Sequence, residues 1–192
     1  MIRAEYKNRS RIVDILVSSF DDNKSVNYII PLDKKRKQRM KRLMEYSFDV
    51  CYLSGKVLLS DDKKGCALVM LPDNKKANVR SIWLDLKLIV TCIGLSNIKK
   101  AFLRETRIKR LHPKKPLYYL WFIGVDPAQQ GRGTGTKLLN EIISESEAEK
   151  RAICLETSTL KNLPWYQQSG FTIYNELDLG YKLFFLKRDC WK

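Results

Sequence analysis

The stretch Val125-Asp-Pro-Ala-Gln-Gln-Gly-Arg-Gly-Thr-Gly-Thr-Lys-Leu-Leu139 decides the fold of this 192-residue chain. Its glycines, Gly131, Gly133 and Gly135, stand at alternate positions, and glycine lets a backbone turn so that several N–H groups converge. The residues that follow predict a helix, whose first turn adds free N–H groups and partial positive charge. The stretch therefore predicts a backbone site for a phosphate or pyrophosphate. The alternative is a tight strand-to-helix turn whose glycines serve packing alone.

The loop fits neither of two common phosphate-binding motifs. A Walker A loop needs Gly-Lys-Ser/Thr after its glycines, and the Rossmann motif needs G-x-G-x-x-G at its own spacing. Neither pattern occurs between Val125 and Leu139.

Strands and helices alternate in the pattern after residue 116. Leu117–Val125 is a nine-residue aromatic and aliphatic run, which is typical of a strand buried on both faces. The further predicted elements are a helix from the glycine loop to about Arg151, a strand at Ala152–Thr157, a short helix near Pro164–Ser169, and strands at 171–177 and 181–187. We expect Asn162 to cap the short helix and Gly170 to end it. This order requires a parallel strand pair beside an antiparallel sheet.

The first 116 residues give a weaker pattern. The predicted elements are helices at 8–20, 33–51 and most of 79–110, with a break near Gly94, and strands at 56–60 and 65–71.

Two spaced motifs resemble the GNAT superfamily of N-acetyltransferases. Gln130 to Gly135 matches its Q/R-x-x-G-x-G/A signature. Leu155 to Phe171, which ends in Tyr166-x-x-x-Gly-Phe, is similar to the second hallmark, in the form seen in a subgroup that includes puromycin N-acetyltransferase. The resemblance covers about residues 117–187.

The resemblance implies an α/β fold in a single domain over residues 1–192. Its sheet is mixed, mostly antiparallel and twisted, with a central splayed parallel strand pair and flanking helices. Residues 1–116 are then acceptor-side helices and N-terminal strands, and residues 117–192 are the acetyl-CoA-binding core.

The resemblance also implies a reaction. Acetyl-CoA lies between the splayed strands, an amine acceptor attacks it directly, and Tyr166 protonates the departing thiolate. The Val125 amide is the implied donor to the thioester oxygen. The implied cofactor-binding residues are Ile123, Gly124, Val125, Gln130, Gly131, Arg132, Gly133, Thr134, Gly135, Thr136 and Asn162.

The general base is not identified by these motifs. Many relatives have a glutamate in the strand before the loop, but residues 117–125 contain no carboxylate. Glu156, on the next predicted strand, is the candidate catalytic residue. Alternatively, Glu156 satisfies a backbone or loop N–H group, and a water relay deprotonates the amine. We expect His112 to be a surface histidine and Cys154 to be part of the core.

Charge is unevenly distributed along the chain. The net charge is +15, and residues 1–116 contain 27 Lys/Arg against 12 Asp/Glu. Solvated helix faces, attraction of CoA or of an acidic acceptor, and nucleic acid or ribosome binding all remain open as interpretations. Nucleic acid is not favoured, because aromatic residues do not interleave with the basic runs.

Two alternatives to the enzyme remain at this point. They are a non-catalytic acyl-CoA-binding module and a basic nucleic-acid-binding protein. The five cysteines are never closer than 15 residues and His112 is the single histidine, so metal and disulfide sites have little to be built from. With no signal sequence or apolar span, we expect a cytoplasmic protein with neither a membrane partner nor a metal; its oligomeric state is not predicted.

Overall fold

Seven strands form one sheet in the computed structural model, which describes residues 1–74, 79–94 and 97–190. In chain order they are β1 (Ile2–Arg3), β2 (Gly55–Leu59), β3 (Gly65–Met70), β4 (Leu117–Val125), β5 (Ala152–Thr157), β6 (Thr172–Asp178) and β7 (Lys182–Arg188). Their order across the sheet is β1-β2-β3-β4-β5-β7-β6, and β4 with β5 is the parallel pair among these strands.

Helices flank the sheet. They are α1 (Arg9–Ser19), α2 (Lys24–Ile29), α3 (Arg36–Ser54), α4 (Val79–Leu88), α5 (Ile98–Leu111), α6 (Thr134–Ala148) and α7 (Leu163–Gln168), and a π-helical turn at Ile89–Ile93 continues α4. None of the described helices is long and apolar enough to cross a membrane.

The parallel pair separates soon after it begins. β4 pairs with β5 only from Leu117–Tyr119 to Ala152–Cys154, although β4 continues to Val125 and β5 to Thr157. Beyond this point β5 is bonded to β7 alone. The expected splayed pair inside a mostly antiparallel α/β sheet is therefore confirmed.

Each face of the sheet has its own core, because strand side chains alternate between faces. Val57 and Leu59 pack with the apolar residues of α1 and α3. Leu58, between them, packs on the opposite face with Leu139 of α6. The sheet thus separates the helices of the basic first half from the helix that follows the glycine loop.

The structure adds two short elements and breaks one predicted helix. β1 and α2 are absent from the sequence prediction, since two and six residues carry no readable periodicity. The helix predicted over most of 79–110 is broken at Gly94, as expected, and that residue has φ +74°. Leu95 and Ser96 of that prediction lie outside the described residues.

Candidate active site

The glycine loop connects the end of β4 to the start of α6. Gly131 and Gly133 have φ of +77° and +81°, a backbone region that favours glycine. Gly135 differs from the prediction: it lies in the first turn of α6 with ordinary helical geometry, so the turn itself does not require a glycine there. Two of the three glycines therefore shape the loop.

The loop contains several backbone N–H groups without a partner among the described residues. The backbone N–H groups from Gly131 to Thr136 donate no hydrogen bond to any residue that the structure describes. A Cβ added at Gly131 or at Gly133 would meet no atom within 4 Å, so open space lies beside the loop. Unpaired N–H groups at a helix N-terminus next to open space fit a phosphate or pyrophosphate.

Side chains fix the end of β4 against the loop. Ser19 Oγ of α1 and Gln130 Nε2 both donate to the Val125 carbonyl oxygen, at 2.9 and 3.2 Å. The Asp126 N–H donates to the Lys64 carbonyl on the β3 side. Antiparallel ladders alternate, so the N–H groups of Ile123 and Val125 face the opposite side, where β5 has separated from β4. Gln130 thus shapes the loop, and two strand donors face the gap.

The short helix α7 is fastened to the same loop. Trp165 Nε1 donates to Thr136 Oγ1 at 3.1 Å. Tyr166 is 5% exposed and packs on Trp165 and Phe171, with ring centroids 4.6 and 5.7 Å away. Burial raises the pKa of Tyr166, so its hydroxyl stays protonated at neutral pH. The hydroxyl bonds to no described residue, which leaves its proton available.

The two residues that flank α7 behave differently. Gly170 ends the helix with φ +84°, as predicted. Asn162 precedes α7, but its side chain accepts no capping hydrogen bond, so that part of the prediction is wrong.

Glu156 lies in a cluster on the face of β5 opposite to Leu155, which packs in the same core as Tyr166. Its Oε1 is 2.5 Å from His112 Nε2, and its Oε2 accepts a hydrogen bond from the Tyr119 hydroxyl at 2.6 Å. The Glu156 side chain is 8% exposed and that of His112 is 14% exposed. Glu156 therefore engages side chains rather than a backbone N–H group, and the prediction of a surface histidine at His112 is wrong.

Tyr119 holds the carboxylate in place. Burial, together with the negative charge of Glu156, raises the pKa of Tyr119 well above its ordinary value. Tyr119 consequently remains a donor, and one oxygen of Glu156 is committed to it. The other oxygen faces the His112 ring.

Helices of the first half surround this cluster with aromatic and polar side chains. Arg104 of α5 is buried and bonds to Glu105, Ser25 and the Tyr181 hydroxyl. Tyr46 of α3 donates to Asp85 of α4 at 2.6 Å and contacts the Trp121 ring of β4 edge-on. Trp121 is the extra residue of a bulge, since Phe122 pairs with Leu68 and Leu120 with Val69.

Sequence reasoning missed three residues of this region. His112 and Tyr119 are distant from Glu156 in sequence. The pairing of Tyr119 with Cys154, which brings Tyr119 next to Glu156, cannot be read from the sequence. Ser158 follows β5, and its hydroxyl is buried without a partner among the described residues. Its position two residues after Glu156 is the one cue that the sequence offered.

Cysteines and other side chains of the types that bind metals occur among the described residues. Cys154 is fully buried, as predicted, and all five cysteines are free. Burial raises the pKa of the Cys154 thiol to about 11, and the Tyr174 hydroxyl lies 3.2 Å from its sulfur. Within residues 1–74, 79–94 and 97–190, no three His, Cys, Asp or Glu side chains are grouped as metal ligands.

Two comparisons with known proteins find similarity to GNAT acetyltransferases. Residues 81–173 match the model of the acetyltransferase (GNAT) domain. An uncharacterised N-acetyltransferase of Schizosaccharomyces pombe is 28% identical over 187 residues, which cover 92% of this chain and 76% of the relative.

Solved structures share the fold. The histone acetyltransferase HPA2 and related acetyltransferase from Corynebacterium glutamicum has a TM-score of 0.72 at 21% identity, covering 100% of this chain and 96% of its own. Arylalkylamine N-acetyltransferase 2 from Aedes aegypti has a TM-score of 0.63 at 15% identity, covering 98% and 97%. At these identities the likeness concerns the fold.

Proposed function

We propose that this chain is an N-acetyltransferase of the GNAT superfamily, as its match to the GNAT domain over residues 81–173 supports, and that it transfers the acetyl group of acetyl-CoA to a primary amine by direct attack. One observation supports this most strongly: the N–H groups from Gly131 to Thr136 have no partner among the described residues and lie where β4 ends beside the gap.

The loop and the strand end divide the binding of acetyl-CoA between them. The unpaired N–H groups of the loop receive the pyrophosphate, whose negative charge the N-terminus of α6 favours. Acetyl-CoA supplies the activated thioester. The N–H groups of Ile123 and Val125 face the gap, and the Val125 N–H is placed to donate to the thioester oxygen as charge develops there.

Tyr166 and Glu156 divide the proton transfers. The acceptor nitrogen loses one proton to Glu156, with His112 as the path to solvent, and its lone pair attacks the thioester carbon. The carbon–sulfur bond breaks, and Tyr166 gives its proton to the departing thiolate. The second proton lost by the nitrogen restores the phenol, so the reaction yields the amide, the free thiol and one proton.

The acceptor side suits a cationic amine. The carboxylate of Glu156 is enclosed with Tyr119 and His112, and Trp121 and Tyr46 are aromatic neighbours on the same side of the sheet. Aromatic faces and a carboxylate attract a primary ammonium group. This arrangement favours an enzyme over a non-catalytic acyl-CoA-binding module, because a binding module needs no enclosed carboxylate–histidine contact.

Tyr166→Phe tests the proposal. We expect kcat to fall about 10²-fold or more, since a positioned proton donor contributes on that order. The Kd for acetyl-CoA should stay within about twofold, because the phenol hydroxyl bonds to none of the described residues. The measurement is thiol release from acetyl-CoA across a panel of primary amines. Tyr52→Phe, at a ring that is 43% exposed on α3, is the matched control.

Two outcomes contradict the proposal. Full turnover by Tyr166→Phe removes the assigned acid. Acetyl-CoA binding by the unaltered protein with no thiol release for any amine indicates a binding module instead.

A further inference from the structure

Helix α4 has a second apolar face that nothing in the described structure covers. Its inward face is closed by Leu84, which is 7% exposed, and by the hydrogen bond from Tyr46 to Asp85. The opposite side carries large apolar residues at a spacing of three or four. They are Val79 (86% exposed), Ile82 (56%), Trp83 (57%), Leu86 (56%) and Val90 (70%).

This spacing makes one continuous stripe. At 100° per residue, the four residues from Val79 to Leu86 fall within about 100° of one another on the helix. A helix that is apolar on two opposite faces is usually buried on both. We call the five residues from Val79 to Val90 listed above the outer stripe.

Unpaired cations lie along one edge of the outer stripe and on the helix that follows it. Arg80 and Lys87 lie along one edge of it, and the Lys87 ammonium is 4.9 Å from the centre of the Trp83 ring. The exposed cations of α4 and α5 that form no ion pair with a described residue are Arg80, Lys87, Lys99, Lys100, Arg107, Lys109 and Arg110. Over the described part of 79–111 the carboxylates are Asp85 and Glu105, which bond to Tyr46 and Arg104.

We propose that the outer stripe docks on an anionic lipid surface. A helix that lies in a membrane interface has Trp and aliphatic residues on one side and Lys or Arg beside them. Trp side chains favour the headgroup region, and basic residues add attraction to anionic lipids. The stripe and its cations meet both conditions, and no step of acetyl transfer requires either one, so this inference goes beyond the proposed function.

Charge selects this occupant over the two alternatives. A second copy of the chain, docked by the same face, would place Arg80 and Lys87 against the cations of its partner in a protein of net charge +15. A nucleic acid would satisfy the cations but leave Ile82 and Leu86 without an apolar contact. An anionic bilayer satisfies the cations and buries the stripe. Docking on a lipid surface departs from the expectation of no membrane partner, which rests on the lack of a signal sequence and of an apolar span.

Vesicle co-sedimentation tests the proposal with the full chain. We expect binding to phosphatidylcholine vesicles that contain about 30% phosphatidylserine, at least about tenfold weaker binding to phosphatidylcholine alone, and a loss of binding at high salt. The double variant Trp83→Ala, Leu86→Ala should weaken binding to the anionic vesicles at least about tenfold. Leu53→Ala with Leu160→Ala is its control, since these residues are 38% and 64% exposed elsewhere.

A charge variant separates the lipid surface from simple apolar adhesion. Arg80→Glu with Lys87→Glu should weaken anionic binding at least about tenfold. Lys7→Glu with Lys182→Glu, whose side chains are 74% and 67% exposed, makes the same charge change and should leave binding near that of the unaltered protein. All substituted residues are exposed. Far-ultraviolet circular dichroism, together with thiol release on a soluble amine, verifies that the variants fold.

Any of the following results overturns the proposal. They are absence of binding to anionic vesicles, equal binding to neutral vesicles, unchanged binding by Trp83→Ala, Leu86→Ala, and a dimer in sedimentation velocity that this variant dissociates. The last result assigns the stripe to a second copy of the chain. RNA binding that depends on Trp83, in place of vesicle binding, likewise assigns it to another partner.

Discussion

Glu156 is held by partners that come from two different parts of the chain. Tyr119 commits one carboxylate oxygen from β4, and His112 contacts the other from the segment just after α5. The two contacts together fix the orientation of the carboxylate. An oriented, enclosed carboxylate with a histidine beside it has the chemistry of a general base.

Glu156→Gln tests this role at the residue scale. The amide keeps the shape and the contact with Tyr119 but cannot accept the amine proton, so we expect kcat to fall about 10²-fold. The Kd for acetyl-CoA should stay within about twofold. Glu176→Gln, at an exposed glutamate of β6 paired with Lys182, is the control. Retention of kcat by Glu156→Gln would favour the water relay.

Cys154 tests whether the acetyl group passes through the enzyme. Because burial raises the pKa of its thiol to about 11, almost none of it is thiolate at neutral pH. We expect Cys154→Ser to keep kcat within about twofold, with intersecting double-reciprocal plots and no acetylated protein by mass spectrometry. Parallel plots, with acetylated Cys154 before the amine is added, would instead establish a covalent intermediate.

At the scale of elements, α6 is fastened to the sheet at its far end by a buried lysine. Lys56 of β2 bonds to Glu145 near the end of α6, to Glu149 just after the helix, and to the Tyr118 hydroxyl. Burial, which lowers the pKa of Lys56, is outweighed by these hydrogen bonds, so its pKa is raised. The hydrogen bond from Lys56 lowers the pKa of Glu149.

Lys56→Met should therefore destabilise the protein in a pH-dependent way. We expect the free energy of unfolding to fall by about 1–3 kcal/mol near neutral pH, from lost hydrogen bonds to charged groups. A lowered carboxyl pKa stabilises above its ordinary value, so the difference between the two proteins shrinks as pH falls below about 4.5. The raised pKa of Lys56 keeps its contribution complete up to about pH 10.5, and it is lost only as pH rises through the folded value.

Urea unfolding of both proteins from about pH 3.5 to pH 9 measures this effect. Lys182→Met, at an exposed pair with Glu176, is the control and should show almost no change. A difference for Lys56→Met that persists undiminished at pH 3.5 would mean that packing of the lysine stem, rather than its charge, stabilises α6.

Elements with a clear hydrophobic pattern were predictable, and short ones were not. β4 and β5 were predicted with their observed bounds, because each is a mostly apolar run with polar residues near both ends. α2 is held by contacts from elsewhere, such as the Lys100 ammonium above the Tyr28 ring, and by the Asn23 side-chain cap. Such tertiary contacts leave no periodic signal.

At the scale of the molecule, the candidate site divides into a part that sequence predicts and a part that it does not. The loop from Gln130 to Thr136 is contiguous, so its glycines and the helix after it are readable together. The contacts of Glu156 with His112 and Tyr119 join residues 44 and 37 positions apart. They exist because β4 and β5 lie side by side and α5 ends next to them, and only the folded sheet brings them together.

Charge is distributed unevenly between the two parts of the chain. Residues 117–192 have balanced charge, whereas the excess of cations lies in the helices and strands that precede β4. On α4, Arg80 and Lys87 form no ion pair with a described residue and lie beside the outer stripe. Composition left open whether these cations are solvated helix faces or attract an anionic partner, because charge counts do not reveal which apolar residues the fold exposes.

The central claim is that the whole chain binds acetyl-CoA through the loop after β4, and calorimetric titration tests it most directly. Gly133 and Gly180 form a matched pair, with φ of +81° and +82° and open space where a Cβ would project. Alanine at either position should cost about 1–2 kcal/mol of stability through the same backbone strain. Only at Gly133 does the methyl group enter the space that we assign to the pyrophosphate.

We predict saturable binding of one acetyl-CoA per chain to the unaltered protein and to Gly180→Ala, and a Kd at least about tenfold weaker for Gly133→Ala. Absence of binding to the unaltered protein, or equal weakening by the two alanine variants, would contradict the account.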